Sequence, residues 1–374
     1  MLCCPVGLGV SGDTVTVIYS VLPFLGVLIF LIVMHEMGHF ITAKIFGIKV
    51  LEAGIGYPPR AWGFNWRGTL YSINWLPLGG FVRLLGEEDP GDPQSLAAQA
   101  AWKRLIVLGA GSFMNFVLPI ILFAAAFMIP RQVSPGPTII DAVEPGSPAA
   151  AAGLQPGDRI IQLNGENVKN IAEAGRLIRL NMGEDIDFKV QRQVFGGGSE
   201  VVETPVAARW APPSGQGPTG IRIGNLYPQF TESESFPIWE AIPKGWTATW
   251  DSLILARNQM ISFFKGGAGP DVAGPVGIAQ ATGEVVKESG WQTLLDLAAL
   301  LSINLAIINI LPLPMLDGGR IAFVLLEVAR GGRRIAPEKE ALVHLIGLAL
   351  IITMAVVITY FDIIRIIGGR SLFE

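Results

Sequence analysis

A chain of 374 residues that is 51% hydrophobic and 16% charged, with mean hydropathy +0.48, is too apolar for an ordinary soluble protein of this size. Its formal net charge of −4 supplies no basic field, which excludes a nucleic-acid partner on electrostatic grounds. The two cysteines, Cys3 and Cys4, are neighbours and seldom could meet disulfide geometry, so no disulfide framework is expected.

Crossing a hydrocarbon core takes about 20 apolar residues of helix, and four stretches are long enough: 15–45, 105–130, 290–330 and 341–367. The first lacks the basic leader and small-residue cleavage site of a signal peptide, and its apolar run continues into HEMGH, so it reads as a retained transmembrane helix. Four residues apart on a helix, His35 and His39 project from nearly one face and can both reach a single tetrahedral Zn²⁺. Glu36 stands beside that face, placed to take a proton from a metal-bound water. Ionisable groups at this depth are costly unless they face protein or a water-filled cavity and act there, and two of the chain's three histidines are in this motif.

The segment 46–104 carries Lys49, Arg60, Arg67, Arg83, Lys103 and Arg104, which with Lys44 place it on the cytoplasmic side. Within it Thr69, Tyr71, Ile73 and Trp75 alternate with Leu70, Ser72 and Asn74, and Arg67-Gly68 can turn the chain, so a β-hairpin is expected. A free sheet edge there could offer backbone hydrogen bonds to an extended segment. After the second span at 105–130, residues 131–226 read as a compact α+β domain. Ser147 caps a short Ala-rich helix with Pro148 at its first position and Gly153 at its end, and Asn164-Gly165 is a two-residue hairpin turn. A helix near 170–182 and strands near 185–194 and 200–207 follow, and 217–224 supplies a closing strand. The run GSPAAAAGLQPGDRIIQLNG resembles the signature of bacterial PDZ domains, which implies a peptide-binding or gating role.

Residues 227–289 form a linker with amphipathic helices; the stretch 236–265, interrupted by Asp251 and Arg257, reads as lying on the surface rather than as a fifth crossing. The third span, 290–330, is broken by Pro312 and Pro314, and Gly318-Gly319 allow close backbone approach. Irregular backbone at membrane depth occurs only where it is buried in protein or lines a cavity, so the break marks a site and Asp317 is the expected third ligand. His344, which opens the fourth span at 341–367, reads as an interfacial histidine rather than a ligand, and Asp362 can pair with Arg365. Arg330, Arg333, Arg334 and Lys339 put the turn before that span in the cytoplasm, while residues 1–14 have no Lys or Arg. Both termini and the section 131–289 are then extracytoplasmic.

HEMGH in the first span, GPVGIA at 274–279, NILPLPMLDGG at 309–319 and the intervening PDZ-like domain together resemble the bacterial site-2 protease family, the RseP type of intramembrane zinc metalloprotease. The resemblance runs in order over most of the chain. It implies that His35, His39 and Asp317 bind Zn²⁺, that Glu36 is the general base, and that Asn309 holds the substrate or polarises its carbonyl. It further implies a membrane-reentrant β-hairpin near the active site, with Tyr71, Ile73 and Asn74 as candidate substrate-binding residues, and a place in the bacterial inner membrane. Its expected substrates are single-pass membrane proteins trimmed beforehand by another protease, such as anti-sigma factors or remnant signal peptides. The RseP type is similar but carries two tandem PDZ domains, whereas this chain has room for one. The expected fold is therefore a polytopic α-helical membrane protein of about four transmembrane helices, embedded in lipid, with a reentrant β-hairpin and one extracytoplasmic α+β PDZ-like domain. Two other classes use some of the same features. A membrane metal transporter would not need Glu36 and normally shows internal repeats, which are not found. A PDZ-bearing membrane scaffold without activity would lack a ligand or the base, and none is missing.

Overall fold

A computed structural model describes residues 17–87, 89–133, 136–194, 197–226, 232–267 and 273–368. The readings made for residues 1–14, for Cys3 and Cys4 and for the start of the first span at 15 lie outside these residues. The chain divides into two compact units, Met1–Ala126 with Val272–Glu374, and Phe127–Asp271.

In the first unit a π-helical turn, Val17–Val21, leads into α1, Leu22–Ile45, which ends where Gly47 takes φ 72°. Two long strands follow, β1 (Val50–Trp66) and β2 (Thr69–Leu84), joined at Arg67-Gly68, where both residues have positive φ as a two-residue hairpin turn requires. The sheet is larger than the hairpin expected from the alternation at 69–75. Residues 62–66 pair with 69–73, while β1 residues 53–55 lie between 71–73 and 80–82, so each strand bends and meets its partner twice. Register shifts along β1 permit that folding back.

The helix α2, Ala101–Met128, crosses α1 closely because Gly38 has no Cβ; one built there would fall on the carbonyl of Ala110. Later in the chain come α6 (Pro275–Ser289), α7 (Thr293–Ile310), α8 (Asp317–Ala329) and α9 (Pro337–Ile367), the intervening helices belonging to the second unit. The chain between α7 and α8 is the proline-broken segment. A Cβ at Gly318 would press on the backbone of Ile310 and Leu311, and one at Gly319 on that of Leu313, so the two glycines let α8 start against the end of α7. An apolar cluster of Ala43, Ile48, Val50, Leu84, Val107, Leu108 and Val324 ties α1, the sheet ends, α2 and α8 together. Arg104 and Arg334 both pair with Glu327, at 2.7 and 3.1 Å, beside it. Among the described residues four helices are long and apolar enough to cross a membrane, Tyr19–Ile45, Ala101–Met128, Thr293–Ile310 and Glu338–Ile367, one in each stretch expected from hydropathy, the third covering only the first part of 290–330.

The second unit is an α+β body. A six-stranded sheet runs in the order β8 (Gly198–Ala207), β7 (Asp185–Val194), β5 (Arg159–Leu163), β4 (Thr138–Val143), β9 (Ile221–Asn225), with β6 (Glu166–Asn167) paired to β5. Ser147 caps α3, Pro148–Ala151, by accepting from the Ala150 amide, and Asn164 and Gly165 take the positive φ of a tight hairpin. Ile140, Ile160, Leu163, Ile186, Phe188 and Val190 fill the space between the sheet and α4, Ile171–Leu180. A long helix, α5 (Ile238–Phe264), packs on α4 through the Arg176–Asp251 ion pair and through Asn258, whose amide donates to the carbonyls of Arg179 and Leu180 at 2.9 and 3.0 Å. Trp239, Ile242, Trp246 and Trp250 are exposed along it. A short pairing of β3 (Arg131–Val133) with β10 (Glu232–Glu234) completes the unit.

Candidate metal centre

The helical period brings His35 and His39 to one side of α1, with ring centroids 4.9 Å apart. Their Nε2 atoms are 3.2 Å apart, and Asp317 Oδ2, on the first residue of α8, lies 3.2 Å from one and 3.3 Å from the other. A tetrahedral zinc with bonds of about 2.0–2.1 Å holds its ligand atoms about 3.3–3.4 Å from one another. The three atoms thus already outline one face of such a polyhedron and leave its fourth corner open. Among the described residues this is the only group of three His, Cys, Asp or Glu side chains close enough to share a metal ion.

The donor chemistry fits a cation. Val107 O lies 2.7 Å from His39 Nδ1, and a carbonyl only accepts, so Nδ1 carries the proton and Nε2 presents its lone pair. Asp317 Oδ2 is buried within ion-pair range of both rings, yet its geometry is not that of a hydrogen bond with either, and it has no hydrogen-bond partner. A cation between the three atoms satisfies all of them at once. Around His35 the partner is Asn115 on α2, which is fully buried, with Nδ2 3.4 Å from His35 Nδ1 and its Oδ1 without a partner. Turning that amide presents Oδ1 to the ring, so His35 can carry its proton on Nδ1 and offer Nε2 to a metal. Gly111, one turn earlier on α2, faces the same atoms, and a Cβ there would stand 2.5 Å from His35 Cε1 and 2.7 Å from its Nε2.

Glu36 lines two cavities. One, of about 430 Å³, is apolar and lies between α1 and the sheet, walled by Met37, Phe40, Ile55, Tyr71 and Ile73 among others. The other, of about 290 Å³, is shared with His39, Asp317, Tyr57, Met315 and Arg320. Glu36 is therefore common to an apolar space wide enough for side chains and to the cavity that holds His39 and Asp317.

Of the candidates read from the sequence, His35, Glu36, His39 and Asp317 come together, and Tyr71 and Ile73 face the apolar cavity. Asn74 is buried and donates to Gly56 O at 3.0 Å, lining with Glu52 and Arg60 a different cavity. Asn309 is half-buried on the last turn of α7 and lines neither of the two cavities that share Glu36. His344, read from the sequence as an interfacial histidine, lies outside the three-residue group; it is buried and accepts the Met315 amide at 2.9 Å. Sequence reasoning passed over Gly111 and Asn115; the available signal was a full-length asparagine amide inside an apolar span, which lipid does not tolerate unpaired.

The sequence model of peptidase family M50 matches residues 23–354. The chain is similar to the zinc metalloprotease RasP of Oceanobacillus iheyensis, 30% identical over an alignment that spans 94% of this chain and 99% of that one. Zinc metalloprotease RasP of Geobacillus kaustophilus is likewise 30% identical, over 92% of this chain and 97% of its own.

Proposed function

Because the chain belongs to peptidase family M50 and is a membrane zinc metalloprotease of the site-2 type, we propose that His35, His39 and Asp317 hold its zinc and that Glu36 is the general base. The observation that supports this most directly is the triangle of Nε2, Nε2 and Oδ2 atoms at 3.2, 3.2 and 3.3 Å, with Glu36 lining the cavity it shares with His39 and Asp317. Zinc, when bound, supplies a Lewis acid that polarises a peptide carbonyl and lowers the pKa of water to about 7. Glu36 takes a proton from the attacking water as its oxygen bonds to the carbonyl carbon, and returns it to the nitrogen as the C–N bond breaks. Val107 O and Asn115 hold the two imidazoles in the tautomer that leaves Nε2 free.

The substrate we propose is a transmembrane segment of a single-pass protein, unwound into extended form so that its carbonyls leave their intrahelical hydrogen bonds. The apolar cavity beside Glu36 suits the side chains of such a segment, with Tyr71 and Ile73 as contacts; the strand residues near it offer backbone partners. Asn309 is proposed to steady the scissile carbonyl, and Asn74 to hold the folded sheet in shape through Gly56. On this reading the sheet is membrane-reentrant, the second unit is an extracytoplasmic PDZ-like domain that admits substrates already trimmed by another protease, and the membrane is the bacterial inner one.

Zinc content and cleavage of a single-span substrate in detergent test the assignment. Glu36→Gln is expected to keep zinc and lose about 10²–10⁴-fold in cleavage, the contribution of a general base. Asp317→Ala is expected to lose both. Undiminished cleavage by Glu36→Gln would remove it from the mechanism, and a wild-type protein that binds zinc but cuts nothing would favour the scaffold reading.

A further inference from the structure

The last helix, α9, offers most of its surface to its surroundings. Between residues 341 and 350 only His344 and Gly347 are buried. They lie three residues apart and so on one face, and that face is turned to the proline-broken segment that delivers Asp317. Met315 N–H donates to His344 Nδ1 at 2.9 Å, and the Phe323 ring of α8 lies 5.5 Å from the imidazole. Gly347 makes room for Pro314; a Cβ there would overlap the proline ring, standing 2.9 Å from its Cγ. Met315 itself has φ 72°, a left-handed conformation disfavoured for any residue with a Cβ, and it shares the polar cavity with Asp317 two residues on.

A histidine on a helix long and apolar enough to cross a membrane persists only if its polar atoms do work, and here Nδ1 satisfies one backbone amide in an irregular turn. With Nδ1 accepting, the proton of the neutral ring is on Nε2, which lies 3.9 Å from Glu340 Oε1. We propose that His344 is a positioning residue for the metal site: by accepting the Met315 amide it holds the left-handed turn that sets where α8 begins and hence where the Asp317 carboxylate reaches. The inference rests on the assignment of Asp317 as a zinc ligand. It makes α9, which contributes no atom to the metal site, the element that fixes the third ligand's backbone.

If His344 only filled space, an apolar residue of similar size would replace it. If its acceptor matters, asparagine serves, because Asn Oδ1 occupies nearly the place of His Nδ1, whereas glutamine carries its oxygen one bond further out. The experiment uses the full chain in detergent, stripped of metal, with zinc titrated against a chromophoric chelator and amide exchange followed over residues 311–319. His344→Asn is expected to match wild type in zinc affinity and exchange. His344→Leu and His344→Gln are expected to bind zinc at least about tenfold more weakly, the lower end for loss of an outer-shell partner, with faster exchange in that segment. The proposal is overturned if His344→Leu binds zinc like wild type, or if His344→Asn is as weak as His344→Leu. Should His344→Leu fail to fold, equal affinities for the Asn and Gln variants overturn it instead. Failure of the wild-type protein to take up zinc would refute the metalloprotease assignment itself, whereas wild-type uptake with no effect of His344→Leu refutes only the role of His344.

Discussion

One methyl group at position 111 is the sharpest probe of the metal centre. In Gly111→Ala the new carbon would stand 2.5 Å from His35 Cε1 and 2.7 Å from His35 Nε2, and it would also overlap His39 Nε2. Unforced contacts of this kind need about 3.5 Å, so the imidazoles must retreat by roughly 1 Å. Zinc ligands tolerate only about 0.2 Å, so the two histidines cannot both stay in reach. The expected result is zinc binding at least about 100-fold weaker, or about 2.8 kcal/mol at 1.4 kcal/mol per tenfold. Overpacking adds about 1–3 kcal/mol against the fold. Gly109→Ala, two residues earlier on the same helix, is the control, because a Cβ there meets only Ile321 Cδ1 at 3.9 Å. It is expected to bind zinc normally and to gain up to about 1 kcal/mol of helix stability. Both variants are stripped of metal in detergent and titrated with zinc against a competing chelator, and their thermal unfolding is recorded without metal. A Gly111→Ala protein with zinc affinity within about twofold of wild type, or a Gly109→Ala protein equally impaired, refutes the packing of α2 against the histidines.

Replacing Asn115 by Leu leaves His35 Nδ1 without an acceptor and is expected to weaken zinc binding about 10–100-fold, while Asn115→Asp retains it; equal affinity in the Leu variant would remove Asn115 from the centre. In the second unit Asp158, 1% exposed at its side chain, accepts from Arg192 at 2.7 and 2.8 Å and from the Gln155 amide at 2.9 Å. Asp158→Ala removes the buried acceptor of the Gln155 amide and of Arg192, which keeps Gly153 O, and should destabilise that unit by about 1–3 kcal/mol, read as faster amide exchange in β5 and β7. Its zinc affinity should not change, and unchanged exchange would show the pair to be dispensable.

What could be read from residues alone was what depends on neighbours along the chain. Hydropathy over a helix length located the four spans, and the period of 3.6 put His35 and His39 on one face with Glu36 beside them. Pro312 and Pro314 forecast the break between α7 and α8, and Ser147, Asn164 and Gly165 forecast a cap and a turn, because each acts through its own backbone. That Asp317 would stand beside the two histidines could be expected from the same break, though not its distances to them.

Tertiary structure alone decided the rest, since it depends on which helix faces touch. The alternation at 69–75 foretold a hairpin, but the doubling back of β1 rests on register shifts that no local pattern specifies. Asn74 lies on the turned-in side of that sheet for the same reason. Gly111, Asn115, His344 and Gly347 look like incidental small or polar residues in apolar helices. They gain their roles only when α2 and α9 bring them against His35 and the Pro314–Met315 turn, because a missing Cβ or a single acceptor acts on whatever is packed beside it.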